Sequence, residues 1–195
     1  MQALDWFGAF KQPGVANSNE SSAWTTADLK LFIPFSLNDH YQLLGVWTKA
    51  ENADVFSYIG QLWKYLQIHR TQLHRDKTIV LGDMNSNTIW DKPDRWWNHS
   101  DVVEELSAMG LQSVYHAQTS EAQGKESTPT FFLHRNVEKA HHIDYVFASD
   151  DLSTQASLEI GDQSTWLSFS DHMPLQLVID TSQKAKGYCE STFPN

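Results

Sequence analysis

At 195 residues, with 41% hydrophobic and 12% aromatic side chains, the chain has the size of one domain and is too apolar to stay unfolded, and charges interrupt every apolar run before it reaches membrane-spanning length. Its formal charge of −10, from 24 acidic against 14 basic residues, argues against holding nucleic acid through a broad basic face, but not against an enzyme that touches a few phosphates around a divalent cation. One cysteine, Cys189, allows no intrachain disulfide and points to a reducing, cytoplasmic setting.

Residues 1–26 have no convincing period, and the apolar triplets around Phe7 and Val15 leave room for one short strand in a loop. Residues 29–35 and 42–48 are apolar runs joined across Asn38-Asp39, which predicts a β-hairpin. Helical spacing of Val55, Phe56, Ile59, Leu62, Trp63 and Leu66 predicts an amphipathic helix over 54–69. A short β-rich run, 78–81, then ends at Gly82. Asp83 and Asn85 follow on alternate positions, so both side chains emerge on one side of a strand end, where α/β proteins usually keep their chemistry. An aromatic and charged loop spans 90–98. Asp101 as N-cap, Glu104 at N3 and Gly110 just past the end predict a second helix. Strand-like runs at 111–115, 129–134, 143–149, 156–160 and 174–180 predict late antiparallel pairing, and 181–195 reads as a surface tail. Residues 1–180 are thus expected to form one α/β domain.

Two further segments place titratable groups at the edge of an apolar strand, Ile143-Asp144-Tyr145-Val146-Phe147 and Ser170-Asp171-His172-Met173-Pro174. Such a carboxylate is costly to bury unless it is paired or metal-bound. Singly, each has an ordinary reading: Asp144 as a turn cap, His172 as a solvated loop residue. Together with Gly82-Asp83-Met84-Asn85, and in this order, they resemble the motifs of the endonuclease/exonuclease/phosphatase superfamily, over about residues 29–180.

That resemblance implies a DNase I-like four-layered α/β sandwich, with two sheets face to face and helices outside. It implies that His172 stabilises the charge developing on an attacked phosphate, that Asp144 holds the histidine in its protonated form, and that Asp83 orients or deprotonates the attacking water. Asn85 would donate to a phosphate oxygen, and Asp171 would help to bind Mg2+ or Mn2+. Trp47, Lys49, Asn87, Thr130 and Phe131 are the expected substrate contacts. The loop with Lys92, Arg95 and three tryptophans either stacks on bases or covers the sheet end. The neighbours His141 and His142 point to opposite faces of a strand and do not share an ion.

The implied activity is that of a nuclease, acting on DNA more than RNA. A phosphomonoesterase, a lipid phosphodiesterase, or a degenerate domain that binds without cutting are the rival readings. The family's N-terminal asparagine and metal-binding glutamate have no counterpart here, and neither Glu20 nor Glu51 stands in a matching context. On that comparison the chain is expected to be N-terminally truncated, with an exposed sheet edge that invites self-association.

Overall fold

A computed structural model describes residues 29–50 and 55–181. The expectations for the first 28 residues, including Glu20, and for Glu51, Asp54, Cys189 and the tail from 182 onward lie outside the described residues.

Strands β1 (Phe32–Leu37) and β2 (Tyr41–Trp47) form the expected hairpin. Asn38 and Asp39 turn it at φ of 54° and 51°, a left-handed conformation these two residue types tolerate. Helix α1 (Ile59–Leu73) begins later than the periodicity suggests, because Tyr58 at φ 56° cannot continue a right-handed helix. Its buried stripe is Ile59, Leu62, Leu66 and Leu73. The chain then enters β3 (Thr78–Asp83), which pairs parallel to β2, and α1 is the crossover that a parallel pair requires.

Helix α2 (His99–Ala108) starts before the expected cap. Asn98 is the N-cap and Asp101 stands at N3, its carboxylate accepting from the Asn98 amide at 2.6 Å to close a capping box. Gly110, at φ 73°, ends the helix as expected. The run at 111–115 is split: β4 (Leu111–Ser113) turns directly into α3 (Val114–Thr119), which buries Val114 and Tyr115. Likewise 129–134 shrinks to β5 (Phe131–Phe132), since His134 and Arg135 take positive φ. It pairs with β6 (Ala140–His141). After these come β7 (Asp144–Ser149), α4 (Asp150–Ser153), β8 (Ala156–Ile160), α5 (Gln163–Trp166) and β9 (Leu175–Ile179).

The main sheet runs β1-β2-β3-β7-β4, and its late pairs are antiparallel, as predicted. Every residue of β7 is buried because both faces are covered. On one face Leu44, Val80, Tyr145 and Phe147 pack with Leu62 and Leu66 of α1 and with Val102 and Leu106 of α2. On the other, Leu43, Ile79, Val146 and Ala148 pack with Val114 of α3 and with the hairpin of β8 and β9 through Leu158, Leu175 and Leu177. Among the described residues that hairpin represents the second sheet of the expected sandwich, and β1 is an edge strand. No described helix is long and apolar enough to cross a membrane.

Candidate functional site

Register decides where the chemistry converges. Trp47 pairs with Asp83 across β2 and β3, and Asp83 pairs with Asp144 across β3 and β7, so one row of three residues crosses three central strands at their ends. Directly opposed residues of an antiparallel pair share a face of the sheet. Two acids in that relation repel each other. Burial, and after it the Asp144 charge, push the Asp83 carboxyl up to about 6, against the opposing pull of its bonds to Asn85 and of His172.

Asn85, at φ 43°, folds back over this strand end. Its backbone amide donates to Asp83 Oδ1 at 2.8 Å, and its side-chain amide donates to Asp83 Oδ2 at 2.6 Å and to the Thr48 carbonyl at 2.8 Å. The Asp83 carboxylate is thereby held from both oxygens. His172 arrives from the loop before β9, and its Nδ1 donates to Asp144 Oδ2 at 3.0 Å. That hydrogen bond raises the His172 pKa, burial works against it, and the charges of Asp144, Asp83 and Asp171 add to the rise. The ring keeps a third of its side-chain surface exposed, while Asp144 keeps 12%. The arrangement pairs an imidazole whose protonated form is favoured with two carboxylates, one of them held by Asn85 and raised to about 6.

The five expected catalytic and metal residues fall close together, with one distinction. Ligand atoms of Asp83, Asp144 and His172 lie within 4.8 Å of one another and form the candidate metal-binding group among the described residues. Asp171 is not one of the three; its backbone carbonyl accepts from the Phe132 amide at 2.8 Å, which fixes the loop before His172. The expected substrate contacts divide. Trp47 is half exposed in the row with Asp83, Lys49 Nζ stands 5.5 Å from its ring, and Phe131 packs on His172 with ring centroids 4.6 Å apart. Asn87 and Thr130 are buried and turned to the protein. Thr130 Oγ1 accepts from the amides of Ile143 and Asp144, both at 3.0 Å, while its carbonyl accepts from Met173 at 2.7 Å. One threonine thus fixes both halves of the Asp144 and His172 pair.

Asn87 leads to a support that the sequence did not reveal. Its side-chain amide reaches the Tyr145 hydroxyl, the His142 carbonyl and Glu126 Oε2, at 3.0, 3.0 and 3.1 Å. Glu126 also accepts from His116 Nε2 at 3.1 Å and from the Gly124 amide at 2.8 Å. Burial works to raise the Glu126 pKa, but the bonds from His116, Gly124 and Asn87 outweigh it and hold the carboxyl at about 2. His142 Nδ1 donates to the Thr128 carbonyl at 2.7 Å.

A depressed carboxylate stabilises the fold above its unfolded pKa, and that contribution is lost as pH falls from about 4.5 through about 2. Glu126 keeps only 4% of its side-chain surface exposed, so Glu126→Gln is expected to cost about 2–3 kcal/mol at pH 7. The deficit should close toward pH 2. Urea melts of both proteins at pH 7 and pH 3 check this, and equal midpoints at pH 7 would refute it.

The sequence matches the family described as Endonuclease/Exonuclease/phosphatase family over residues 23–172. No curated protein sequence matches the chain. Among solved structures it is similar to a 3'-5' exonuclease (NExo) from Neisseria meningitidis, with TM-score 0.58 and 18% identity over 76% of this chain and 64% of that one. It is similar also to the 3' phosphatase NExo from Neisseria bound to product DNA hairpin, with TM-score 0.55 and 16% identity over the same shares. A third is the AP endonuclease LMAP from Leishmania major, at TM-score 0.52, with 13% identity over 75% of this chain and 53% of that one. The chain therefore spans less than two thirds of the length of these structures, and at such identities the likeness is one of fold.

Proposed function

The chain belongs to the endonuclease/exonuclease/phosphatase family, and on that premise we propose that it hydrolyses phosphate esters with a divalent cation, as a DNase I-like nuclease cleaving phosphodiester bonds of DNA in preference to RNA. The observation that carries this reading is the convergence of Asp83, Asp144 and His172 at the paired ends of β3 and β7. The DNA hairpin in the similar 3' phosphatase structure supports a nucleic acid substrate.

The donor set fits a hard divalent cation. Asp83 and Asp144 supply two opposed carboxylates whose mutual repulsion a cation relieves, whereas His172 already spends Nδ1 on Asp144 and has its other nitrogen left for substrate. When bound, Mg2+ or Mn2+ would supply charge to a phosphate oxygen and orientation to the ester, and the proposed role of Asp171 is to add a further acidic group beside His172.

The residues of the chain do the rest. Asp83, gripped by Asn85, orients the attacking water and accepts its proton at a carboxylate oxygen. Asn85 meets the phosphate by exchanging one of its amide bonds for a phosphate oxygen. His172, whose protonated form the Asp144 hydrogen bond favours, places an N–H donor against the charge that develops on phosphorus-bound oxygen. Phe131 packs on the imidazole and shields one of its faces from water.

Plasmid nicking and bis-p-nitrophenyl phosphate hydrolysis in Mg2+ or Mn2+ test the activity. Catalysis should stop in excess EDTA; hydrolysis that persists there would remove the cation from the scheme. Cation binding has its own readout. At ten times its dissociation constant, Mg2+ is expected to raise Tm by about 3–5 °C. Asp83→Asn should abolish the rise, and an undiminished rise in that variant would place the cation elsewhere. A chain that binds the cation and DNA but cuts neither substrate would be the degenerate binding domain.

A further inference from the structure

A cavity of about 330 Å³ opens against Asn85 and Ser86, between the start of α1 and residues 90–99, and bears on what the proposed phosphodiesterase recognises beside the phosphate. It has the volume of a small-ligand site, room for one nucleobase and its sugar but not for a duplex. Because it shares Asn85 with the catalytic group, a moiety seated in it lies next to the reacting phosphate.

Its walls suit a flat, neutral ring with polar edges. Trp90 and Tyr58 each leave 45% of their surface exposed, and Trp90 is steadied by His141, ring to ring at 5.1 Å. The other two tryptophans of the same loop are taken up elsewhere: Trp96 and Trp97 pack on Phe56, and Trp96 also on Trp63. Arg95, exposed on the wall, offers a guanidinium plane. At the back of the pocket His99 is 1% exposed and its ring packs on Tyr145 with centroids 4.8 Å apart, so it closes the wall. Burial pushes its pKa down to about 4, so this wall carries no charge at neutral pH.

An anion is the wrong occupant. The first amides of α2, which would otherwise attract one, are spent: those of His99 and Ser100 donate to the Asp91 carboxylate at 2.9 and 3.2 Å, and Asn98 and Asp101 close the capping box. An acyl chain would bury the Arg95 guanidinium without satisfying it. We infer that this pocket binds the nucleobase flanking the scissile phosphate, stacked on Trp90 with Arg95 beside it. The inference rests on the phosphodiesterase reading for its position but not for its test.

Calorimetric titration of the native chain in Mg2+ buffer compares thymidine 5′-monophosphate and thymidine 3′-monophosphate with deoxyribose 5-phosphate, which has the phosphate and sugar but no base. One of the nucleotides should bind about tenfold tighter than the sugar phosphate. Trp90→Ala should remove that advantage while leaving the affinity for deoxyribose 5-phosphate unchanged, and Trp90→Phe, which keeps a stacking face, should restore most of it. Equal affinities for all three ligands, no measurable binding, or an equal loss for all in Trp90→Ala overturns the inference. Base-dependent binding without hydrolysis of any ester would instead overturn the catalytic reading and leave the base site standing, and the two failures are therefore distinguishable.

Discussion

Gly82→Ala is expected to lower Tm by about 10 °C or more, or to prevent accumulation of folded protein altogether. Gly82 sits at φ 139°, and a Cβ built there would lie 2.0 Å from the Val46 carbonyl oxygen and 2.9 Å from its carbon, both backbone atoms of the adjacent strand. Neither atom can yield without pulling β2 away from β3, and the left-handed backbone is unfavourable for alanine. A loss of more than about 4 kcal/mol follows, a large part of the 5–15 kcal/mol typical for a domain. For a chain of this size that converts to about 8–16 °C. Gly45→Ala is the control on the same pair of strands. Its Cβ would meet Ile33 at 3.6 Å, an ordinary contact, so little change is expected. A Gly82→Ala melt within about 3 °C of the native one would show that the strand ends are not packed as described. Since Asp83 follows directly, even a folded variant should lose cation binding.

His172→Ala is expected to lower kcat/KM for a phosphodiester by about 10³-fold, with Tm little changed, since the ring is only partly buried. Asp144→Asn should lower it by about 10²-fold while leaving the backbone in place, because Thr130 holds position 144 through the main-chain amide. The two differ in pH profile. The Asp144 hydrogen bond is the main cause of the raised His172 pKa, so on the proposed mechanism the alkaline limb of the native profile is expected to follow loss of the His172 proton. Without the carboxylate that limb should move to lower pH. A threefold loss or less in His172→Ala, or an unmoved limb in Asp144→Asn, would sink the assignment of His172 as the charge-stabilising acid.

Much of this site was legible in the chain. Residues 78–87 combine a β-rich run, a glycine and two alternating polar groups, and strand geometry alone predicts that Asp83 and Asn85 leave the strand end together. The motifs around Asp144 and His172 were readable because adjacent residues carry them. Misreadings arose where two local solutions compete. Asn98 and Asp101 are both good N-caps three residues apart, and only the backbone bond between them shows which caps α2 and which stands at N3. The 129–134 run has strand composition, yet its pairing stops after two residues, where the chain leaves the β region at His134.

Local periodicity and neighbouring side chains, which act over a few residues, therefore placed the hairpin, the two longer helices and the candidate site residues. Contacts across 28 to 61 positions lay beyond them. The register of β3 on β7 set the two carboxylates opposite each other, the loop before β9 brought His172 to Asp144 at 3.0 Å, and Glu126, in a loop with no period of its own, became the anchor of Asn87. Asn87 and Thr130 carry the same point. Each is a polar residue beside a catalytic one and could have faced substrate, but burial by β7 and its neighbours turned both inward, where unpaired backbone amides and carbonyls needed them.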